Sequence, residues 1–230
     1  GITMDNWTPA RQEKILGNNR RITILNTIID VLDVQQTIDL VEEYVKQKEP
    51  LHLMGVNADK INELNENERL KQIVNSCGII NADGASVIKA SRYLGKPLPE
   101  RVAGIDLMLS LVKLSEERGY SVYLLGAKQE VVEKTAEVLK RDYPKLKIVG
   151  IHNGYFKEPE WSEISKEIKS VHPDFVFVGI TSLFTLMIIL PSVTLVTVIV
   201  NSSSNLASIG SITRVAFDLT AVNTVKLDAP

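Results

Sequence analysis

An α/β fold, with a parallel sheet covered by helices on both faces, is what this sequence predicts. Three observations carry it. Short β-branched apolar runs alternate with longer segments of helical periodicity from Ile22 to Ile180. Strand-like runs such as Leu51 to Val56 and Phe175 to Ile180 are apolar along their length, as strands buried on both faces are. No internal repeat or charge block interrupts the alternation, so right-handed βαβ crossovers can follow one another.

The bulk numbers set the frame. A chain of 230 residues makes one large domain or two small ones. Hydrophobic residues at 44% and charged residues at 23% fit a soluble globular protein. A net charge of −2 without any basic run argues against nucleic acid as a partner. One cysteine, Cys77, excludes an internal disulfide framework; it precedes a strand and reads as a buried, inert thiol. Residues 1–21 are polar and lack the apolar core of a signal peptide, which points to the cytoplasm. They are set aside as an N-terminal extension or a cloning remnant.

The elements follow in order. Ile22 to Leu25 is a short strand. Asp33 and Gln36 form a capping-box pattern for a helix with Val34, Ile38, Val41 and Val45 on one face, running to about Lys48 before Pro50. Leu51 to Val56 is a buried strand ended by Asn57-Ala58-Asp59. Ala58 to Leu64 and Asn67 to Ser76 are helices, with Leu70, Ile73 and Val74 inward. Gly78 to Ile80 is the next strand, ended by Asn81-Ala82-Asp83. If the two strands are parallel neighbours, both polar tripeptides line one crevice. Ser86 to Tyr93 is a short helix. Asp106 is a candidate cap for a helix with Leu107, Leu111 and Leu114 on one face, closed by Gly119. Ser121 to Leu125 is a strand. Gly126-Ala127 turns into a helix from Lys128 to Arg141 with Val132, Ala136 and Leu139 inward. Lys147 to Ile151 is a strand. Pro159 opens a helix with Trp161, Ile164 and Ile168 in a stripe, and Phe175 to Ile180 is a strand.

The tail changes character. No charged residue occurs from Phe175 to Thr213, and Leu183 to Val200 is nearly continuous apolar sequence broken by Pro191. A membrane-spanning helix needs about 20 apolar residues. The Thr, Ser, Pro and β-branched content favours two buried strands instead.

The groups that could do chemistry gather around one stretch. Asp83-Gly84 releases a carboxylate at a strand end, where ligands of open α/β sheets bind. Lys96-Pro97-Leu98-Pro99-Glu100-Arg101 then delivers a guanidinium, a group that forks onto phosphate oxygens, on a proline-stiffened loop. An ionised Asp83 can accept a proton. The structural alternative is that Asp83 caps the following helix and Arg101 pairs with it. Gly126-Ala127 could admit a phosphate to a helix N-terminus, or be an ordinary turn. Tyr155 and Phe156 could stack on a base, or belong to the core. His52, His152 and His172 lack ligand spacing, and no Asp-x-Asp pair exists to hold a metal on a diphosphate. Arginine and backbone dipoles would then stabilise a leaving diphosphate.

Several motifs occur in one order and spacing: Asn81-Ala82-Asp83-Gly84; Lys96-Pro97-Leu98-Pro99-Glu100-Arg101-Val102-Ala103-Gly104-Ile105-Asp106-Leu107; Tyr123-Leu124-Leu125-Gly126-Ala127; and Gly154-Tyr155-Phe156. Together they resemble the WecG/TagA/CpsF family of bacterial glycosyltransferases over about Ile22 to Ser182. The resemblance implies a Rossmann-like sheet and an inverting, metal-independent transfer with no cofactor. A sugar, with N-acetylmannosamine the best-known case, would move from a UDP-sugar to N-acetylglucosamine on undecaprenyl diphosphate, in teichoic acid or surface polysaccharide synthesis. The family's base falls on Asp83, its essential arginine on Arg101 and its pocket asparagine on Asn57. Asn81, Gly84, Gly126, Ala127 and Tyr155 complete the expected substrate contacts. A peripheral place at the inner face of the cell membrane, and self-association, are also implied.

The sequence departs from the family in two places. Gly55-Val56-Asn57 stands where members often carry Thr-Pro-Asn, so a pocket hydroxyl is missing. Thr181-Ser182-Leu183-Phe184 stands where members continue with a Pro-Lys-Gln-Glu-like motif, so a catalytic-site glutamine is missing. Phe217-Asp218, Val225-Lys226 and Ala229-Pro230 resemble the family again. Residues 183–230 therefore read as a divergent tail completing the sheet, or as a stretch partly out of frame. The corresponding alternative function is a non-catalytic sugar-nucleotide-binding homologue.

Overall fold

A computed structural model describes residues 20–126, 128–156, 158–179 and 196–200, without the side chains of Arg69, Ile73, Glu158, Pro159, Trp161, Ser162 and residues 196–200. The expected inward positions of Ile73 and Trp161, and all of the tail except residues 196–200, lie outside the described residues.

The described residues open with an antiparallel hairpin, β1 (Arg21–Ile24) and β2 (Thr27–Asp30). It continues through α1 (Val34–Lys46), β3 (Leu51–Val56), α2 (Ala58–Glu66), α3 (Glu68–Asn75), β4 (Ile79–Ala82), α4 (Ala85–Tyr93) and α5 (Gly104–Arg118). Then come β5 (Ser121–Gly126), α6 (Gln129–Asp142), β6 (Lys147–His152), α7 (Glu158–Val171), β7 (Phe175–Gly179) and β8 (Val196–Val200). Strands β3 to β8 form one six-stranded sheet in the order β4-β3-β8-β7-β5-β6. Every pairing in it is parallel.

The strands are apolar throughout because both faces are covered. Leu51, Leu53, Ile79, Val122, Leu124, Phe175 and Phe177 pack under α1, α5 and α6. The intervening residues Met54, Val56, Ile80, Tyr123, Leu125, Val176 and Val178 pack on the other side, with the hairpin, α2, α3, α4 and α7. The capping box of α1 forms as expected: Gln36 N–H donates to Asp33 Oδ1 at 2.7 Å, and Asp33 N–H donates to Gln36 Oε1 at 2.9 Å. Gly119 ends α5 in the left-handed region, at φ 73°.

Three expectations need correction. The first strand is half of a hairpin, with Leu25 and Asn26 both at positive φ, 48° and 65°. Leucine rarely takes that conformation, so Leu-Asn gave no turn signal. Asp106 does not cap α5; Ala103 holds the N-cap position, and Asp106 lies in the first turn. Asp83 does not cap α4, whose N-cap is Gly84 with no side-chain bond.

The hairpin is clamped to the edge of the sheet by a buried pair. Arg21 Nε donates to Asp30 Oδ1 at 2.8 Å, and its Nη2 donates to the carbonyls of Cys77 and Gly78 at 3.1 and 2.9 Å. Ile80 N–H donates to Asp30 Oδ2 at 2.8 Å. Cys77 is buried, and burial pushes its thiol up to about 12, so it is not a nucleophile at neutral pH.

Candidate active site

β3 and β4 are parallel neighbours, with Gly55 beside Asn81 and Val56 beside Ala82. The register carries on past both strand ends and sets Asn57 next to Asp83. The two tripeptides therefore meet with an offset of two residues. Asp83 N–H donates to Val56 O at 2.8 Å, and Val102 N–H donates to Ala82 O at 2.8 Å. The proline loop is thereby tied back to the end of β4, and this tie brings Arg101 to Asp83.

The Asp83 side chain is 1% exposed. Its Oδ1 accepts from Arg101 Nη2 at 3.3 Å, and its Oδ2 accepts from the N–H of Gly104, the first residue of α5, at 3.2 Å. Burial pushes this carboxyl above the usual carboxylate range, while the Gly104 N–H, Arg101 and Lys60 pull it back. The result is a carboxylate more basic than one in water. Among the described residues Arg101 makes that one long contact, and its side chain is 43% exposed. One partner is fixed and dry; the other can reach outward.

Around this pair, Asn57 is the N-cap of α2, its Oδ1 accepting from Lys60 N–H at 2.9 Å. Gly84 lies against it: a side-chain carbon at Gly84 would come within 3.3 Å of Asn57 Cβ. Asn81 is the third residue of β4, 1% exposed, and donates to Thr37 Oγ1 at 3.2 Å, while its Oδ1 has no partner among the described residues.

The other expected contacts lie elsewhere on the same rim. Gly126 ends β5 at φ +123°, and a side-chain carbon there would stand 2.2 Å from Gly179 O. Its glycine is therefore required by the approach of β7, whatever else it serves. Tyr155, 46% exposed, follows β6, with its N–H donating to Asn153 Oδ1 at 3.0 Å. Ala127 lies outside the described residues. β4 and β5 are separated by four inter-strand steps, roughly 19 Å along the rim. The rim thus carries an acid-arginine centre at one end and a glycine-tyrosine turn region at the other. Among the described residues no group of three or more His, Cys, Asp or Glu is placed to hold a metal ion.

A sequence profile of the glycosyl transferase WecG/TagA/CpsF family matches residues 22–182. The chain belongs to this family. Among its relatives is the N-acetylglucosaminyldiphosphoundecaprenol N-acetyl-beta-D-mannosaminyltransferase of Bacillus spizizenii, 33% identical over 60% of this chain and 52% of the relative. A Staphylococcus aureus protein of the same name is 30% identical over 70% of this chain and 64% of that protein. The chain thus spans between about half and two thirds of the length of these relatives.

The geometry gives a place beside Asp83 to two residues, one noted in the sequence only for a missing hydroxyl and one that sequence reasoning missed. Gly55 is one. A side-chain carbon there would lie 2.8 Å from Asp83 Cβ, so the missing side chain leaves room for Asp83. Lys60 is the other. It is 7% exposed, and its Nζ donates to Gly55 O at 3.4 Å. Burial pulls its ammonium down to about 8, while the charges of Asp83, Glu63 and Cys77 act to raise it. A signal was available. Lys60 is the third residue of α2, and a cation in a first helical turn opposes the helix dipole, which asks for a local reason.

Proposed function

We propose that this chain transfers a sugar, with N-acetylmannosamine the first choice, from a UDP-sugar to N-acetylglucosamine carried on undecaprenyl diphosphate, with inversion at the anomeric carbon. The observation that carries the reading is the dry Asp83 carboxylate at the end of β4, set against the outward-reaching Arg101. Family membership and the activity for which the relatives are named support it.

In this reading an Asp83 oxygen takes the proton of the acceptor hydroxyl. The acceptor oxygen so deprotonated then bonds to the anomeric carbon as the bond from carbon to diphosphate oxygen breaks, and UDP leaves with the electron pair. Arg101 and the positive end of α5 offset the charge that grows on the diphosphate. Asn57 and Gly84 line the same strand ends, while Gly126 and Tyr155 lie where an extended donor could reach. The catalytic domain would be residues 22–182, completed by the later strand. The acceptor's lipid would place the chain at the inner face of the cell membrane; no helix among the described residues is long and apolar enough to cross one.

The test supplies UDP-N-acetylmannosamine and a short-chain lipid-diphosphate N-acetylglucosamine acceptor, and reads UDP release and product configuration. Asp83→Asn should lower turnover by about 100-fold or more, the scale of a lost general base, with UDP binding retained. Saturable UDP binding by calorimetry with no product from the wild-type chain would establish the non-catalytic reading instead.

A further inference from the structure

The excursion from Gly84 to Arg101 leaves the site and returns to it. Its start is fixed by Ile88 N–H donating to Gly84 O at 3.2 Å, and its end by the Val102 bond to Ala82. Between them, buried Ser91 organises the turn. Its Oγ donates to Ile88 O at 2.7 Å and accepts from Leu98 N–H at 3.1 Å, and its carbonyl accepts from Lys96 N–H at 2.9 Å. Leu98 points inward at 4% exposure. This is a built turn, with its own inward anchor.

Its outer surface is unlike the rest of the described chain. Tyr93 is 92% exposed and the adjacent Leu94 is 50% exposed. Lys89, Arg92 and Lys96 around them are exposed, and no acidic residue occurs between Asp83 and Glu100. A local excess of three cations therefore stands on a chain whose net charge is −2. A lone exposed apolar residue needs no explanation. Two consecutive ones on a braced turn, ringed by long cationic side chains, match a bilayer interface, where tyrosine lies at headgroup level and lysine and arginine reach anionic phosphates. Two residues cover too little surface for a stable dimer, which needs roughly 800 Å² per partner.

We infer that the end of α4, Tyr93 and Leu94 with Lys89, Arg92 and Lys96, is a docking surface for an anionic phospholipid bilayer. The inference deepens the reading above, because a lipid-linked acceptor has to be met at that surface. Docking here engages the one segment whose two ends are Asp83 and Arg101. The rest of the chain carries net negative charge and is repelled, so the surface also sets orientation.

The full chain is sedimented with vesicles of phosphatidylcholine, alone or mixed with phosphatidylglycerol, with no donor sugar present. Binding to the mixed vesicles only, weakened by salt, is expected. Replacing Lys89, Arg92 and Lys96 by glutamine should lower partitioning about 100-fold, at about fivefold per basic residue. Tyr93→Ser with Leu94→Ser should lower it about tenfold or more. An environment-sensitive dye on Tyr93→Cys should brighten with vesicles; Cys77 is buried and stays unlabelled. Absence of wild-type binding, unchanged binding by both variants, or a dye that stays dark while the chain binds would overturn the inference. So would a halved particle mass in the serine variant, which would make the turn a contact with a second copy. A chain that docks but releases no UDP would remove the activity and leave the docking surface standing.

Discussion

Asp83 holds a charge where the fold would rather have none. Its folded pKa is raised, chiefly by burial. A raised pKa means stability is fully present below the unfolded value, about 3.9, and is lost as pH rises through the folded one. Asp83→Asn should therefore melt at a higher temperature than wild type at neutral pH, with the gap closing below about pH 4; thermal melts across pH check this. Lost activity with gained stability is the trade expected of a functional carboxylate. Lys60 works in the opposite sense. Its ammonium favours the ionised form of Asp83, so Lys60→Met should move the acidic limb of the activity profile to higher pH. A lysine that only filled space would lower the rate and leave that limb in place. With its own pKa pulled down to about 8, Lys60 contributes stability that grows as pH climbs from there towards about 10.4.

At the scale of elements, the Arg21–Asp30 clamp makes the clearest demand. Asp30 is 1% exposed, and burial pushes its carboxyl up even with Arg21 beside it. Arg21→Leu leaves that acid buried without its cation and should cost about 3 kcal/mol or more. Asp30→Asn in the same chain should recover part of it, as read by denaturant melts. Period and apolar run length made most elements legible in advance, because parallel strands buried on both faces and amphipathic crossover helices each leave a one-dimensional mark. The β1–β2 hairpin left none, since its turn uses Leu25 in a conformation that leucine seldom takes. Asp83 and Arg101 were legible as a pair because strand-end breakers and prolines advertise where a loop must return. Gly55 was legible only as a missing hydroxyl, and Lys60 only as a cation set against a helix dipole. Their meaning lies in an approach between neighbouring strands and a helix, and no spacing along the chain encodes it.

For the molecule as a whole, every residue expected at the site falls on or near the carboxyl rim of one sheet, apart from Ala127, which lies outside the described residues. They divide between its β3–β4 and β5–β6 ends. What joins these ends is β8, which pairs with β3 on one side and β7 on the other. A chain ending at residue 195 lacks that strand and leaves two facing strand edges unpaired. It should lose the cooperative melt of the full chain and self-associate, as calorimetry and light scattering would show.

β8, one of the two central strands of the sheet, is also the last of the described strands to be synthesised. While the nascent chain leaves the ribosome, β3–β4 and β7–β5–β6 can assemble only as separate sheet fragments, each holding an open edge. The two ends of the candidate rim are joined only once residues 196–200 pair with both fragments. Until then two strand edges stay open, and slowing translation just upstream of that strand would lengthen their exposure.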